Sequence, residues 1–355
     1  MKLSVIIPSY QVEKFISCCL SSVVNSICQA NLQNNTEIII IDDGSIDKTG
    51  MICDQYASKY DMIRTIHQKN RGISGARNMG MLFASGEVIS FVDSDDKVTP
   101  DFFYKMVLPI QAENADIVCC GMTILNTNIP YLSHPKQPQI YLREAGILTV
   151  LARDGVQDFL MNKVYKREVL DGIKFPEGRV YEDTFIQHHI FSKSEKTVFL
   201  NSSLYLYRFN ESGITHNNQF KPNRMDFVWA TQQQLEFTEK KYPSFLPLAI
   251  AKHLNAICQV SWYMWRNNYT SSRRKILNCL IAMANHYHEQ LKTNPYLSPL
   301  LQLELCRLTE GYRTWSRYCK KAEYIKKLHN HPRVQRIFSR LFSIPLNLPR
   351  KENQY

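Results

Sequence analysis

Asp93, Asp95 and Asp96 crowd three carboxylates into four positions directly after the apolar stretch EVISFV, residues 87–92. Like charges this close raise one another's pKa unless a positive charge lies between them. Either the cluster opens into water at a loop tip, or it holds a cation. The D-x-D spacing of Asp93 and Asp95 suits a hard divalent ion such as Mg²⁺ or Mn²⁺, which takes one or two carboxylates and leaves its other positions to water and phosphate. A second acidic pair, Asp42 and Asp43, stands in IIDDGS. An ionised carboxylate only accepts hydrogen bonds, so it can read the imide N–H of a pyrimidine base; the same turn would also cap a helix. A third pair, Glu182 and Asp183, opens a helical stretch over 181–192, where the helix N-terminus favours negative charge and keeps a carboxylate ionised. NRGISGARNMG, residues 70–80, sets Gly72, Gly75 and Gly80 around Arg77, whose guanidinium fork can bind phosphate or the acidic cluster itself. Ser74 there would serve as a helix N-cap. His188 and His189 read as helix residues rather than ligands.

The motifs at Asp42–Asp43, at 70–80 and at Asp93–Asp96 each follow an apolar strand. LSVII (3–7), EIIII (37–41), MIRTI (62–66) and EVISFV (87–92) are short apolar runs. Between the first two, Val12, Phe15, Ile16, Cys19, Leu20, Val23, Val24 and Ile27 recur at the spacing of one helix face. A second helix runs to about Lys59 and a third spans 74–84. Nearly continuous apolar strands separated by helices predict an α/β, mostly parallel sheet covered on both faces. Ligands then gather at the carboxyl ends of the strands, and here those ends read PSY, DDGS, QKNRG and DSDD. From 116 to 219 the pattern is mixed: DIVCCG, a polar loop near 126–138, and the short strands TVFL and LYLYRF. After 220 it is helical and aromatic-rich.

Charge divides the chain as pattern does. Residues 1–219 carry 21 Lys and Arg against 24 Asp and Glu, whereas residues 220–355 carry 22 against 8. Two domains are expected, 1–219 and a basic helical region over 220–355. The 10 cysteines include no CxxC pair, which predicts buried reduced thiols in a cytoplasmic protein. The apolar N-terminus is too short for a secretory signal, and no run approaches the roughly 18 residues of a membrane span. PSYQVEKF follows the first strand, so the GxGxxG of a dehydrogenase is missing there.

SVIIPSYQVEKFISCCLSSVVNS, EIIIIDDGSIDKTG, NRGISGARNMG and FVDSDD, in this order, resemble the nucleotide-binding half of family 2 glycosyltransferases with the GT-A fold. The likeness is strong over about 3–105 and looser to about 216. It implies that Pro8, Tyr10 and Glu13 grip base and ribose, and that Asp43, beside Asp42, accepts a hydrogen bond from the base, usually uracil. Asn70, Gly72, Arg77, Asp93 and Ser94 would join the nucleotide-sugar pocket. Asp93 and Asp95 would hold Mn²⁺ or Mg²⁺, with His216, in NESGITH, completing the metal shell. The Glu182–Asp183 pair would supply the general base of an inverting transfer, Asp183 first and Glu182 second. The donor would be UDP-linked and the acceptor a hydroxyl of a saccharide or lipid-linked saccharide, as in bacterial surface-polysaccharide assembly.

Two other classes remain open. A non-catalytic nucleotide-sugar-binding module would keep the sheet and lose the acids, yet Asp93, Asp95 and Asp183 are present. A basic nucleic-acid-binding protein would explain the charge of the second half, but zinc-finger spacing and RNP-like blocks are missing, so no nucleic-acid partner is expected. RVQRIFSRLF (333–342) places Val334, Ile337, Phe338, Leu341 and Phe342 on one stripe and Arg333, Arg336 and Arg340 on another. The segment 332–344 therefore suits an anionic membrane surface, making the protein peripheral there, and equally suits packing on its own domain.

Overall fold

The computed structural model describes residues 1–152, 156–209, 220–267 and 271–329. His216 and the 332–344 segment lie outside the described residues. The chain forms two compact units, one of residues 1–209 with 229–237 and one of 210–228 with 238–355.

The first unit is built on a ten-stranded sheet. Its strands are β1 (Leu3–Ser9), β2 (Thr36–Asp42), β3 (Ile63–His67), β4 (Val88–Phe91), β5 (Lys97–Val98), β6 (Ile117–Ile124), β7 (Pro130–Leu132), β8 (Gln139–Leu142), β9 (Lys163–Lys166) and β10 (Lys196–Tyr207). The order is β3-β2-β1-β4-β9-β6-β10-β5, with β7 paired to β6 and β8 to β10. β3, β2, β1 and β4 are parallel, in a register that sets Ile6 opposite Ile39 and Phe91. Val5, Ile6, Ile7, Ile39, Ile40 and Phe91 are fully buried. That is why these strands read as unbroken apolar runs: both faces of the sheet are covered. The expectation of a mostly parallel sheet holds for this half; beyond it β9 runs antiparallel to both β4 and β6.

The helices of this unit are α1 (Ile16–Gln29), α2 (Thr49–Lys59), α3 (Gly72–Phe83), α4 (Phe102–Glu113), α5 (Glu144–Ala152), α6 (Arg167–Leu170), α7 (Glu182–Phe191) and residues 229–237 of α8 (Met225–Lys241). α1 buries Ile16, Cys19, Leu20, Val23, Val24 and Ile27, the face its spacing predicts. α3 lies against β1 so closely that a Cβ on Gly80 would meet Ile6 Cγ2 at 2.3 Å. Hence that position must be glycine.

Three expectations are corrected. TVFL and LYLYRF are one strand, β10, with register shifts between Phe199 and Ser203 and between Ser203 and Tyr205; the irregularity breaks the alternation that would have joined them. The stretch read as a polar loop contains β7, a short strand at the sheet edge. Ser74 is not the cap of α3: it lies inside the first turn, buried, while Asn70 Oδ1 accepts from the Gly72 amide at 3.3 Å.

The second unit is helical: α9 (Leu246–Arg266), α10 (Ser271–His286), α11 (Gln290–Thr293), α12 (Pro299–Thr309) and α13 (Tyr312–His329). Pro247 sits in the first turn of α9, and Ser298 caps α12 by accepting from the Leu301 amide at 3.2 Å. Leu254, Ile257, Leu280, Leu305 and Trp315 make a fully buried core. No described helix is long and apolar enough to cross a membrane.

Candidate active site

Strand ends β1 and β2 carry loops that are stitched together. The amide of Gln11 donates to Ser45 Oγ at 3.1 Å, that of Val12 to Thr49 Oγ1 at 2.8 Å, and that of Glu13 to Asp47 Oδ2 at 3.2 Å. In return the Lys48 amide donates to Glu13 Oε2 at 3.0 Å. Pro8 is buried inside β1, and Tyr10 stands 46% exposed at the mouth of the turn. Asp43 is buried; its amide donates to the Ser9 carbonyl, and its Oδ1 accepts from Gln68 Nε2 at 2.6 Å and from the Arg71 amide at 2.8 Å. Gly44, at φ +77°, makes this turn possible, since a side chain there would press on the Asn70 amide at 3.0 Å. So Pro8, Tyr10, Glu13, Asp43, Asn70 and Gly72 border one set of three loops.

Asp42 buttresses that set rather than facing it. Its Oδ1 accepts from the Ser45 amide at 3.1 Å and its Oδ2 pairs with His67 Nδ1 at 2.8 Å, while His67 Nε2 reaches Asp54 Oδ1 at 3.1 Å. The Asp42 contact, helped by Asp54, raises the pKa of His67 against the opposing effect of burial. A raised histidine pKa contributes stability fully present below the unfolded value and lost as pH rises through the folded one. His67→Gln should therefore lower the melting temperature more at about pH 6 than at about pH 9. Equal losses at both would remove the charged histidine from the account. Half of the His67 side chain is exposed, so the effect is modest.

The acidic cluster after β4 does not open into water. Asp96 is 1% exposed and Ser94 6%. The turn closes through the Asp96 amide, which donates to the Asp93 carbonyl at 3.1 Å, and the Asp93 amide donates to Tyr205 Oη at 3.1 Å. Asp96 Oδ1 accepts from the Arg208 amide at 2.6 Å, so this third carboxylate ties the turn to the end of β10. Burial and the charge of Asp93 push Asp95 up to about 6. Burial, then Asp95 and Asp93, raise Asp96 as well.

Arg77 joins this cluster to α7. Its buried guanidinium donates to Asp93 Oδ1 at 2.9 Å and to Glu182 Oε1. Burial works against its charge, but Glu182 and Asp93 hold its pKa above the ordinary arginine value. Glu182 is thereby committed to an ion pair. Its neighbour Asp183 is not: Asp183 Oδ1 takes the adjacent Thr184 amide at 2.7 Å, and burial, Glu182 and Asp158 push its pKa up to about 7. A carboxyl poised there can take a proton at neutral pH. The first turn of α7 is fixed from behind by Gln234 of α8, which donates to the Thr184 carbonyl and to Asp158 Oδ1. Tyr181 turns the chain into α7 at φ +60°.

Two carboxylates, Asp93 and Asp95, fit a hard divalent cation by donor chemistry, with neighbouring negative charge that a cation would relieve. Among the described residues no group of three or more His, Cys, Asp or Glu side chains could enclose a metal ion.

Several participants carry no local signal in the sequence. Tyr205 and Arg208 come from β10 and the residues after it, more than 100 positions from Asp93. Gln68 and Arg71 stand in QKNRG at the end of β3, where a polar strand end alone does not mark which residues hold Asp43. Lys163 is fully buried, donating to the carbonyls of Gln157 and Phe159 and to Asn162 Oδ1, and burial lowers its pKa.

A family model described as glycosyl transferase family 2 matches residues 4–173. Glycosyltransferase GlyG of Streptococcus pneumoniae is 29% identical over 249 residues, 67% of this chain and 79% of GlyG. Glycosyltransferase GlyA of the same organism is 29% identical over 223 residues, which are 60% of this chain but only 31% of GlyA. Among solved structures, S. aureus TarS 1–349 in complex with UDP-GlcNAc superposes with a TM-score of 0.70 at 20% identity, covering 91% of this chain and 92% of that one.

Proposed function

Because the chain belongs to the family 2 glycosyltransferases, with the GT-A fold, we propose that it moves a sugar from a UDP-linked donor to a hydroxyl of a saccharide or lipid-linked acceptor with inversion at the anomeric carbon. The observation that carries this reading is the Arg77 bridge, which brings the D-x-D turn and the Glu182–Asp183 pair to one place. A uridine donor is favoured by the buried Asp43 at the end of β2 and by the UDP-GlcNAc bound to the fold relative TarS. Residues 1–219 would bind the donor and carry catalysis, and 220–355 would serve the acceptor.

Asp43, held by Gln68 and Arg71, would accept from the base, while Tyr10 and Glu13 flank the ribose, and Asn70, Gly72 and Ser94 line the sugar-diphosphate path. A divalent Mn²⁺ or Mg²⁺ held by Asp93 and Asp95, with His216 as a further ligand, would supply Lewis-acid neutralisation of the departing diphosphate. Asp183 would take the proton from the attacking acceptor hydroxyl. Arg77 would keep Glu182 from competing for that proton and hold Asp93 in place.

A panel of nucleotide sugars, assayed for release of nucleoside diphosphate with and without EDTA, tests the reaction. The anomeric configuration of the product tests inversion. A readout independent of turnover is available for the ion: Mn²⁺ with UDP should raise the melting temperature of the parent protein, and Asp95→Asn should abolish that rise. An undiminished rise in Asp95→Asn would take Asp95 out of the ion site.

A further inference from the structure

The outward side of α13 has no part in the site above. Trp315 and Cys319 are fully buried, Tyr318 stacks on Trp315, and Ser316 Oγ accepts from Trp265 Nε1 at 3.3 Å, so one side of this helix belongs to the core of the second unit. Arg313, Arg317, Lys320, Lys321 and Tyr324 are all exposed. Their spacing, i, i+4, i+7, i+8 and i+11, places them on a single stripe roughly 16 Å long.

Within that stripe Arg313 faces Arg317, and Arg317 faces both Lys320 and Lys321. Like charges at these separations destabilise a helix. Among the described residues none of the four cations forms an ion pair that would relieve them. The acids that could help are engaged elsewhere. Glu323 pairs with Arg266 of α9 at 3.0 Å, and Glu310 with Arg307 of α12 at 2.9 Å. The stripe belongs to the half of the chain carrying 22 Lys and Arg against 8 Asp and Glu. A helix that breaks its own charge rule on one face is matched to something negative.

We propose that this face of α13 docks the protein on an anionic lipid surface. The stripe runs along one face of a single helix and ends in Tyr324, 63% exposed, an amphipathic ring of the kind that settles at headgroup depth. The same unit also exposes Leu300 (58%) and Leu303 (44%), aliphatic surface that a lipid interface can bury and that offers a polyphosphate or nucleic-acid chain neither charge nor a ring to stack on. Docking is independent of the transfer reaction and stands or falls without it.

The test uses the full chain and sedimentation with vesicles of phosphatidylcholine, with and without phosphatidylglycerol. The parent should bind only the anionic vesicles and release in roughly 0.5 M salt, where screening is a few ångströms long. Four surface cations imply a loss of several-hundred-fold, about fivefold for each, on combining Arg313→Gln, Arg317→Gln, Lys320→Gln and Lys321→Gln. The melting temperature of that variant should hold or rise, because repulsion is removed. Should it fall, Tyr324→Ala, which alters only an exposed ring, must still weaken vesicle binding with the fold intact. Unchanged partitioning of the folded variants overturns the proposal. So does a parent protein that ignores anionic vesicles, whether or not it captures RNA or polyphosphate.

Discussion

Asp183→Asn is expected to lower kcat by about 10²–10⁴-fold while the KM for the donor stays near the parent value, since only proton removal from the acceptor is lost. The pH profile is the more telling readout. Burial, Glu182 and Asp158 push the Asp183 carboxyl up to about 7. A base must be ionised, so the parent rate should climb as pH rises through about 7, and the variant should lose that limb. Stability should move the opposite way. A carboxyl whose folded pKa lies above its unfolded value binds more protons in the native state between the two, so the parent loses stability as pH rises across that window. Asparagine carries no such penalty. The variant should therefore melt higher than the parent at pH values above about 7, a gain of the kind expected when a functional group is sacrificed. A variant that keeps full turnover would transfer the proton-accepting role elsewhere; one that loses both turnover and stability would make Asp183 structural.

Arg77→Met is expected to be the most destabilising single change in the first unit, by about 3–5 kcal/mol in denaturant unfolding. The guanidinium is 3% exposed and serves Asp93 and Glu182 together. Methionine fills part of the volume but leaves both carboxylates without their cation. Since the penalty is one of uncompensated negative charge, it should be smaller in acidic than in neutral solution. Arg77→Lys should recover only part of the loss, because one ammonium cannot present two separated donors in the guanidinium plane. A loss that is the same at acidic and neutral pH would mean that shape, not charge, is what Arg77 supplies.

The parallel half of the sheet was legible because a strand buried on both faces has little choice of residue: LSVII and EIIII could scarcely be anything else. α1 was legible through its apolar spacing. The acids of the site could be found from sequence because each follows such a strand or opens a helix. What sequence hid was the far side of each contact. Nothing local marks Tyr205 as the partner of the Asp93 amide or Gln234 as the brace of α7, since those contacts join residues 112 and 50 positions apart. The bent strand β10 misled for a local reason: its register shifts replace the alternation by which strands are recognised. Asp96 misled chemically. It counts as a third acid in DSDD, but its Oδ1 is taken by the Arg208 amide, so it anchors β10 instead of joining the pair before it.

The hydrogen bonds between residues 11–13 and 45–49 bear on how donor preference could be re-engineered. Neither segment keeps its shape alone, because the backbone of one is completed by side chains of the other. Grafting either from a relative with a different base preference would leave amides of Gln11, Val12 and Glu13 facing the wrong acceptors. The two segments form a single cassette, and an exchange has to carry both.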